Sequence, residues 1–260
     1  MTNPPAILQC TDLTMRFGGV TALDNLSLSV AANEVLGLIG PNGSGKTTFF
    51  NVITGLYHAE AGSIVLAGQP AMRLSPQAIY HAGVSRTFQR SRLCLELSIF
   101  DNIVIGNHRN LRHGLWFNLL RRGALQREIA AQYDAVRELL ALFDAPLADR
   151  VLDPVGGLSM IDRRRIEICR ALIGRPQLLL LDEPSAGMTH EETTQLMADI
   201  TAVRERLGNL TIVIIEHEMH VIERITDRCV VLNYGRAICQ GTYAEIAADP
   251  LVREAYLGIE

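Results

Sequence analysis

Several things are scarce in this chain, and each scarcity excludes something. No span reaches the roughly 18 to 20 apolar residues that a membrane helix requires. The apolar runs Leu178–Leu181 and Ile212–Ile215 have the length of buried strands. The opening stretch MTNPPAILQC has no basic segment followed by an apolar one, so a signal peptide is not expected. There are five cysteines, at 10, 94, 169, 229 and 239, and none forms a Cys-x-x-Cys pair. Scattered and odd in number, they argue against a disulfide framework or a zinc site and fit a reducing cytoplasm. Basic charge is also short: 24 Lys and Arg stand against 28 Asp and Glu, for a net charge of -4. That balance leaves no electrostatic footprint for DNA, and no nucleic-acid partner is expected. Internal repeats and low-complexity tracts are missing too.

What remains is a chain of 260 residues, 48% of them hydrophobic, which is ample for a large core. Ile7–Cys10 and the alternating Leu26–Val30 read as strands with a Gly19 break between them. Val35–Ile39 is apolar throughout and runs through a glycine-rich loop into a helix starting near Lys46. Ser63–Gly68 reads as a strand closed by a turn. From about residue 90 to 170 the pattern becomes helical: Leu125–Phe143 carries apolar residues at helical spacing. Arg163–Ile173 is a further helix, stopped by Gly174 and Pro176. Then strands Leu178–Leu181, Thr211–Ile215, Arg228–Leu232 and Ala237–Gln240 alternate with helices Glu191–Leu207 and Glu218–Ile225. Such alternation predicts an α/β fold with a parallel sheet covered on both faces.

Residues Gly40, Pro41, Asn42, Gly43, Ser44, Gly45, Lys46, Thr47 and Thr48 contain the complete P-loop pattern. Glycines let successive N–H groups converge on one anion, and the following helix adds its positive end. Lys46 is suited to the β- and γ-phosphates, and the Thr47 hydroxyl to Mg²⁺. A glycine-rich turn that binds nothing is the bland alternative; the order strand, loop, helix favours nucleotide binding. The apolar strand Leu178–Leu181 ends in Asp182 and Glu183. Beside a P-loop, the first acid suits the Mg²⁺ shell and the second the attacking water.

With these two motifs about 130 to 140 residues apart around a helical insertion, the whole chain resembles an ABC-type ATPase subunit. Five further positions carry the resemblance. Phe17 stands where the family places an aromatic against adenine. Gln89, in Arg86-Thr87-Phe88-Gln89, matches the glutamine that reaches Mg²⁺. Leu158-Ser159 matches the start of the signature motif, whose serine contacts ATP on a partner subunit. Ser185–Met188 stands at the D-loop, and His217 matches the histidine that contacts the γ-phosphate. The resemblance implies a P-loop NTPase (RecA-like) core with an antiparallel β subdomain and an inserted α-helical subdomain. The core would comprise residues 1–89 and 171–260, and the helical subdomain 90–170. It further implies ATP and Mg²⁺ as cofactors, Glu183, His217 and Gln89 as catalytic, and Thr47, Gln89 and Asp182 as metal-binding residues. The implied partners are transmembrane permease subunits and a second ATPase subunit, the same or different. The implied location is peripheral, on the cytoplasmic face of the inner membrane.

One motif departs from the pattern. The family reads Leu-Ser-Gly-Gly-Gln or a close variant; here the residues are Leu158-Ser159-Met160-Ile161-Asp162. Two readings stay open at this level. In one, Ile161 and Asp162 weaken closure over the partner's ATP; in the other, the backbone path is kept and Ile161 points away. Phe17-Gly18-Gly19-Val20, Arg163–Ile168, Glu216–Met219 and Tyr256-Leu257-Gly258 further resemble the ATPase subunits of branched-chain amino acid importers. So does Asn107–Gly123, where Trp116 and Phe117 suit either packing on their own domain or docking on a membrane subunit. The competing readings are a soluble ABC ATPase of repair or translation, a small-molecule P-loop kinase, and a nucleotide-gated scaffold that seldom hydrolyses ATP.

Overall fold

Alternating apolar and polar residues build a long first hairpin, β1 (Ala6–Phe17) and β2 (Val20–Ala31), turned by Gly18 at φ +59°. Both strands outrun the stretches expected for them. Asp12 and Asn25 sit at φ +50° beside register shifts, and these polar irregularities hide the strand period in the sequence. β4 (Ala61–Leu66) and the short β5 (Gln69–Pro70) complete an antiparallel sheet of order β2-β1-β4-β5. The computed structural model describes residues 5–89, 91–110 and 122–257.

A second sheet has six strands: β3 (Val35–Ile39), β6 (Val84–Arg86), β7 (Leu178–Asp182), β8 (Thr211–Ile215), β9 (Arg228–Asn233) and β10 (Arg236–Gly241). Their order is β10-β9-β3-β8-β7-β6, parallel except for β10. β3, β7 and β8 are buried along their whole length, so both faces are covered, as a parallel sheet requires. β8 pairs Ile215 with Leu38 on one side and Asp182 on the other. The carboxyl ends of β3, β8 and β7 therefore lie abreast. Open α/β sheets bind ligands at such ends. Both sheets share one core around Phe49 and Phe50 of the helix Lys46–Ile53, with Leu8, Leu23, Leu36 and Leu232 among its walls.

These strands belong to one of two compact units, formed by Met1–Arg86, Gln177–Ala186 and Leu207–Glu260. The other comprises Thr87–Pro176 and Gly187–Arg206. Its described elements are helical, chiefly Arg122–Ala141, Met160–Leu172 and His190–Leu207. Short helices that sequence periodicity does not resolve, Ile99–Val104 and Ala145–Ala148, are announced by their caps. Ser98 and Asp144 each accept the N–H three residues on. Buried Arg165 ties this unit together by pairing with Asp144 at 2.9 Å, Asp162 at 3.2 Å and Asp199 at 2.8 Å. Most of the stretch Asn107–Gly123, including Trp116 and Phe117, lies outside the described residues.

All five cysteines are free; Cys10, Cys169 and Cys229 are buried, and burial pushes the Cys10 thiol up to about 12. Among the described residues, no helix is long and apolar enough to cross a membrane.

Candidate nucleotide site

The loop Gly40–Gly45 leaves β3 and enters the helix Lys46–Ile53. Two of its glycines are sterically compulsory. Gly40 has φ +146°, and a Cβ there would stand 2.1 Å from the Leu232 carbonyl oxygen. Gly45 has φ +106°, and its Cβ would come within 2.5 Å of the Ala22 oxygen. Only glycine takes this path at ordinary cost. The helix begins at Gly45 without a side-chain cap, so its first N–H groups remain available to an anion.

Lys46 is buried, and its ammonium donates to the carbonyls of Gly40 at 2.7 Å and Pro41 at 3.0 Å. Burial pushes its pKa down, while Glu183 and Asp182 push it back up. The Ser44 hydroxyl is buried with no hydrogen-bond partner among the described residues. Leaving such a group unmade costs on the order of 1–3 kcal/mol, which an entering phosphate oxygen would recover. Thr47 is exposed at the head of the helix, with Thr48 half-buried behind it.

Asp182 ends β7 and is almost fully buried. Its carboxylate accepts from Arg86 at 2.5 Å, and the same guanidinium donates to Asn51 Oδ1 at 2.7 Å and lies over the Phe50 ring. Arg86 thus links the ends of β6 and β7 to the P-loop helix, a role its sequence neighbourhood did not announce. The Thr47 hydroxyl and the Asp182 carboxylate are hard oxygen donors, the class Mg²⁺ takes, so the residues present fit that ion.

Glu183 follows with φ +48°, a left-handed conformation that a non-glycine residue adopts at a cost. Its N–H donates to the Ile215 carbonyl at 2.9 Å, and its carboxylate Oε1 lies 2.8 Å from His217 Nε2. Acid and histidine, 34 positions apart, are thereby in contact. Phe17 is 44% exposed at the end of β1 and meets Tyr57 edge-to-face at 5.3 Å. Tyr57 is a ring sequence reasoning missed. Burial pushes the Tyr256 hydroxyl up to about 12, an effect that the Gly40 backbone at the root of the loop partly offsets.

Gln89 and Ser159 belong to the second unit. Gln89 is exposed, next to Phe88, whose ring carries the Arg92 guanidinium 3.9 Å from its centre. Ser159 caps the helix Met160–Leu172: its hydroxyl accepts the Asp162 N–H at 3.2 Å and donates to the Asp162 carboxylate at 2.7 Å. Ile161 is the second residue of that regular helix and has no positive φ. Its substitution for glycine therefore imposes no backbone strain here.

The family model described as ABC transporter matches residues 23–186, and the one described as branched-chain amino acid ATP-binding cassette transporter matches residues 238–260. The chain is 40% identical over 259 residues to the high-affinity branched-chain amino acid transport ATP-binding protein LivG of Salmonella typhimurium, covering 99% of each. Among solved structures it is similar to a nucleotide-free ATP-binding cassette from an ABC transporter. The TM-score is 0.83 at 28% identity, covering 98% of this chain and 100% of that one. An ATP-binding cassette in its ADP conformation gives 0.82 at 27% identity, with the same coverage. The P-loop core, its antiparallel sheet and its nucleotide cradle are accordingly those of a nucleotide-binding ATPase, and the chain belongs to the ABC transporter family.

Proposed function

We propose that this chain is the ATP-hydrolysing subunit of a membrane transporter that imports branched-chain or related amino acids. The contact of Glu183 with His217 beside a complete P-loop carries the hydrolytic half of this reading. The importer half rests on similarity to LivG across the whole chain and on the family match at its carboxyl end.

In this reading Lys46 leaves the Gly40 and Pro41 carbonyls for the phosphates, and Ser44 gains the partner it lacks. Phe17 stacks on adenine. Thr47 and Asp182 would hold Mg²⁺, with Gln89 as the further ligand the family resemblance implies, and the ion would supply charge neutralisation at the phosphates. Glu183 takes a proton from the attacking water, and His217 keeps that carboxylate in line with the γ-phosphate. Ser159 is presented to ATP on a second ATPase subunit. Closure and opening of such a pair would drive transmembrane permease subunits from the cytoplasmic face of the inner membrane. Residues 1–89 and 171–260 would supply the nucleotide-binding core, and 90–170 the helical part that couples to those partners. The compact units themselves divide at Arg86 and Pro176, and the helical one also takes in Gly187–Arg206.

A second reading has one observation in its favour: the Ser159 hydroxyl is already satisfied by Asp162. In it, ATP gates the subunit and is hydrolysed slowly. Phosphate release with and without the membrane partners separates the two. Copurification from detergent-solubilised membranes, followed by uptake of radiolabelled leucine into proteoliposomes, tests the importer reading. A partner set that moves an unrelated solute and no amino acid would overturn it.

A further inference from the structure

Glu216 is 3% exposed, just beyond β8, and is used by none of the chemistry above. Burying a carboxylate is expensive unless donors surround it. Its donors are unusual in where they come from. Oε1 accepts from the Ser185 N–H at 2.8 Å and from the Ser185 hydroxyl at 2.7 Å. Oε2 accepts from the His217 N–H at 3.3 Å. Ser185 is itself buried and lies two residues past Glu183. One side chain therefore pins the loop that leaves the hydrolytic acid and also touches the main chain of the histidine that meets that acid.

The contacts close into a ring. Glu183 passes through the main chain to Ser185, Ser185 bonds Glu216, Glu216 adjoins and bonds His217, and His217 Nε2 returns to Glu183 Oε1 at 2.8 Å. Inside this ring Glu183 holds φ +48°. A residue stays in that region only where its surroundings over-determine it. The Glu183 N–H bond to Ile215 and the Ala186 N–H bond to the Glu183 carbonyl fix the turn from within. Glu216 fixes it from the β8 side. An apolar residue at 216 would satisfy burial but remove the bonds that hold Ser185 from the β8 side.

We propose that Glu216 is a positioning residue for hydrolysis: by bridging Ser185 and His217 it keeps the Glu183 carboxylate where it can meet water. This rests on the assignment of Glu183 as the base. Reacting groups moved by about 1 Å lose on the order of 100-fold in rate. Glu216→Ala in the purified full-length chain is therefore expected to lower kcat about 10- to 100-fold. KM for ATP and equilibrium affinity for a fluorescent ATP analogue should change less than about threefold, since phosphate binding lies elsewhere. Glu216→Gln keeps one acceptor oxygen for Ser185 and should recover part of the rate. Ser185→Ala, which keeps its N–H bond, should lose least.

Combining Glu216→Ala with Glu183→Gln tests the route of action. If Glu216 acts through Glu183, the double variant is no slower than Glu183→Gln alone. If Glu216→Ala does not fold, Glu216→Gln and its double variant decide the same question. Unchanged kcat in Glu216→Gln and Ser185→Ala together with a folded, unchanged Glu216→Ala would overturn the proposal. So would a rate loss matched by an equal loss of ATP affinity, or full additivity with Glu183→Gln. Near-normal hydrolysis by Glu183→Gln alone would instead overturn the assignment of the base.

Discussion

The phosphate loop and the signature segment are both short, and the family draws both with glycines, yet this chain treats them differently. At Gly40 and Gly45 the glycines answer to the chain's own backbone: a Cβ would strike Leu232 or Ala22 main chain. At Ile161 the helix Met160–Leu172 proceeds with ordinary dihedrals, and a β-branched residue fits without strain. A glycine required by the fold cannot drift without damage to the fold. A glycine required only by what lies opposite, on another subunit, can drift while the chain keeps its shape. Under the proposed function, the signature reports on the partner site, and the phosphate loop on this chain's own.

The sharpest way to break that comparison is Gly40→Ala, set against Ile161→Gly. Gly40→Ala should abolish ATP binding and lower stability by about 1–3 kcal/mol or more, read by calorimetry and thermal melting. Ile161→Gly should cost no more than about 1 kcal/mol of helix stability. An equal loss of stability in both would end the distinction.

Arg86→Met comes next. It leaves Asp182 buried without its guanidinium partner, and the expected loss is about 3–5 kcal/mol by denaturant unfolding. Glu183→Gln should cut phosphate release by about 100-fold or more while ATP still binds. The smallest effect concerns the signature itself. Placing glycine at 160 and 161 with glutamine at 162 should raise turnover at the site that this segment faces. Single-turnover hydrolysis in a reconstituted pair checks it; a site facing Met160 and Ile161 that is already the faster one would contradict it.

The strand-to-helix loop and the acidic end of β7 were legible in the sequence because each is a local pattern. A run of apolar residues stops, and chemistry follows within a few positions. The expected strands Val35–Ile39 and Thr211–Ile215 coincide with β3 and β8 because parallel, fully buried strands leave continuous apolar text. Arg86, Glu216 and Tyr256 were not legible as site-building residues. Their partners lie 96 positions away for Arg86 with Asp182, and 31 for Glu216 with Ser185. Only the side-by-side ends of β3, β8, β7 and β6 bring such residues together. A buried acid immediately before His217 was the one local hint. β6 and the hairpin's outer halves escaped notice because three residues carry no period and because bulges break it.

The central claim is that the chain's own backbone amides and Lys46 grip a triphosphate with help from Mg²⁺. Calorimetric titration of ATP into Glu183→Gln, with and without Mg²⁺, tests it without interference from turnover. The account predicts tight binding that strengthens with Mg²⁺ and disappears on adding Lys46→Ala. Heat that is absent, or indifferent both to Mg²⁺ and to Lys46, would contradict it.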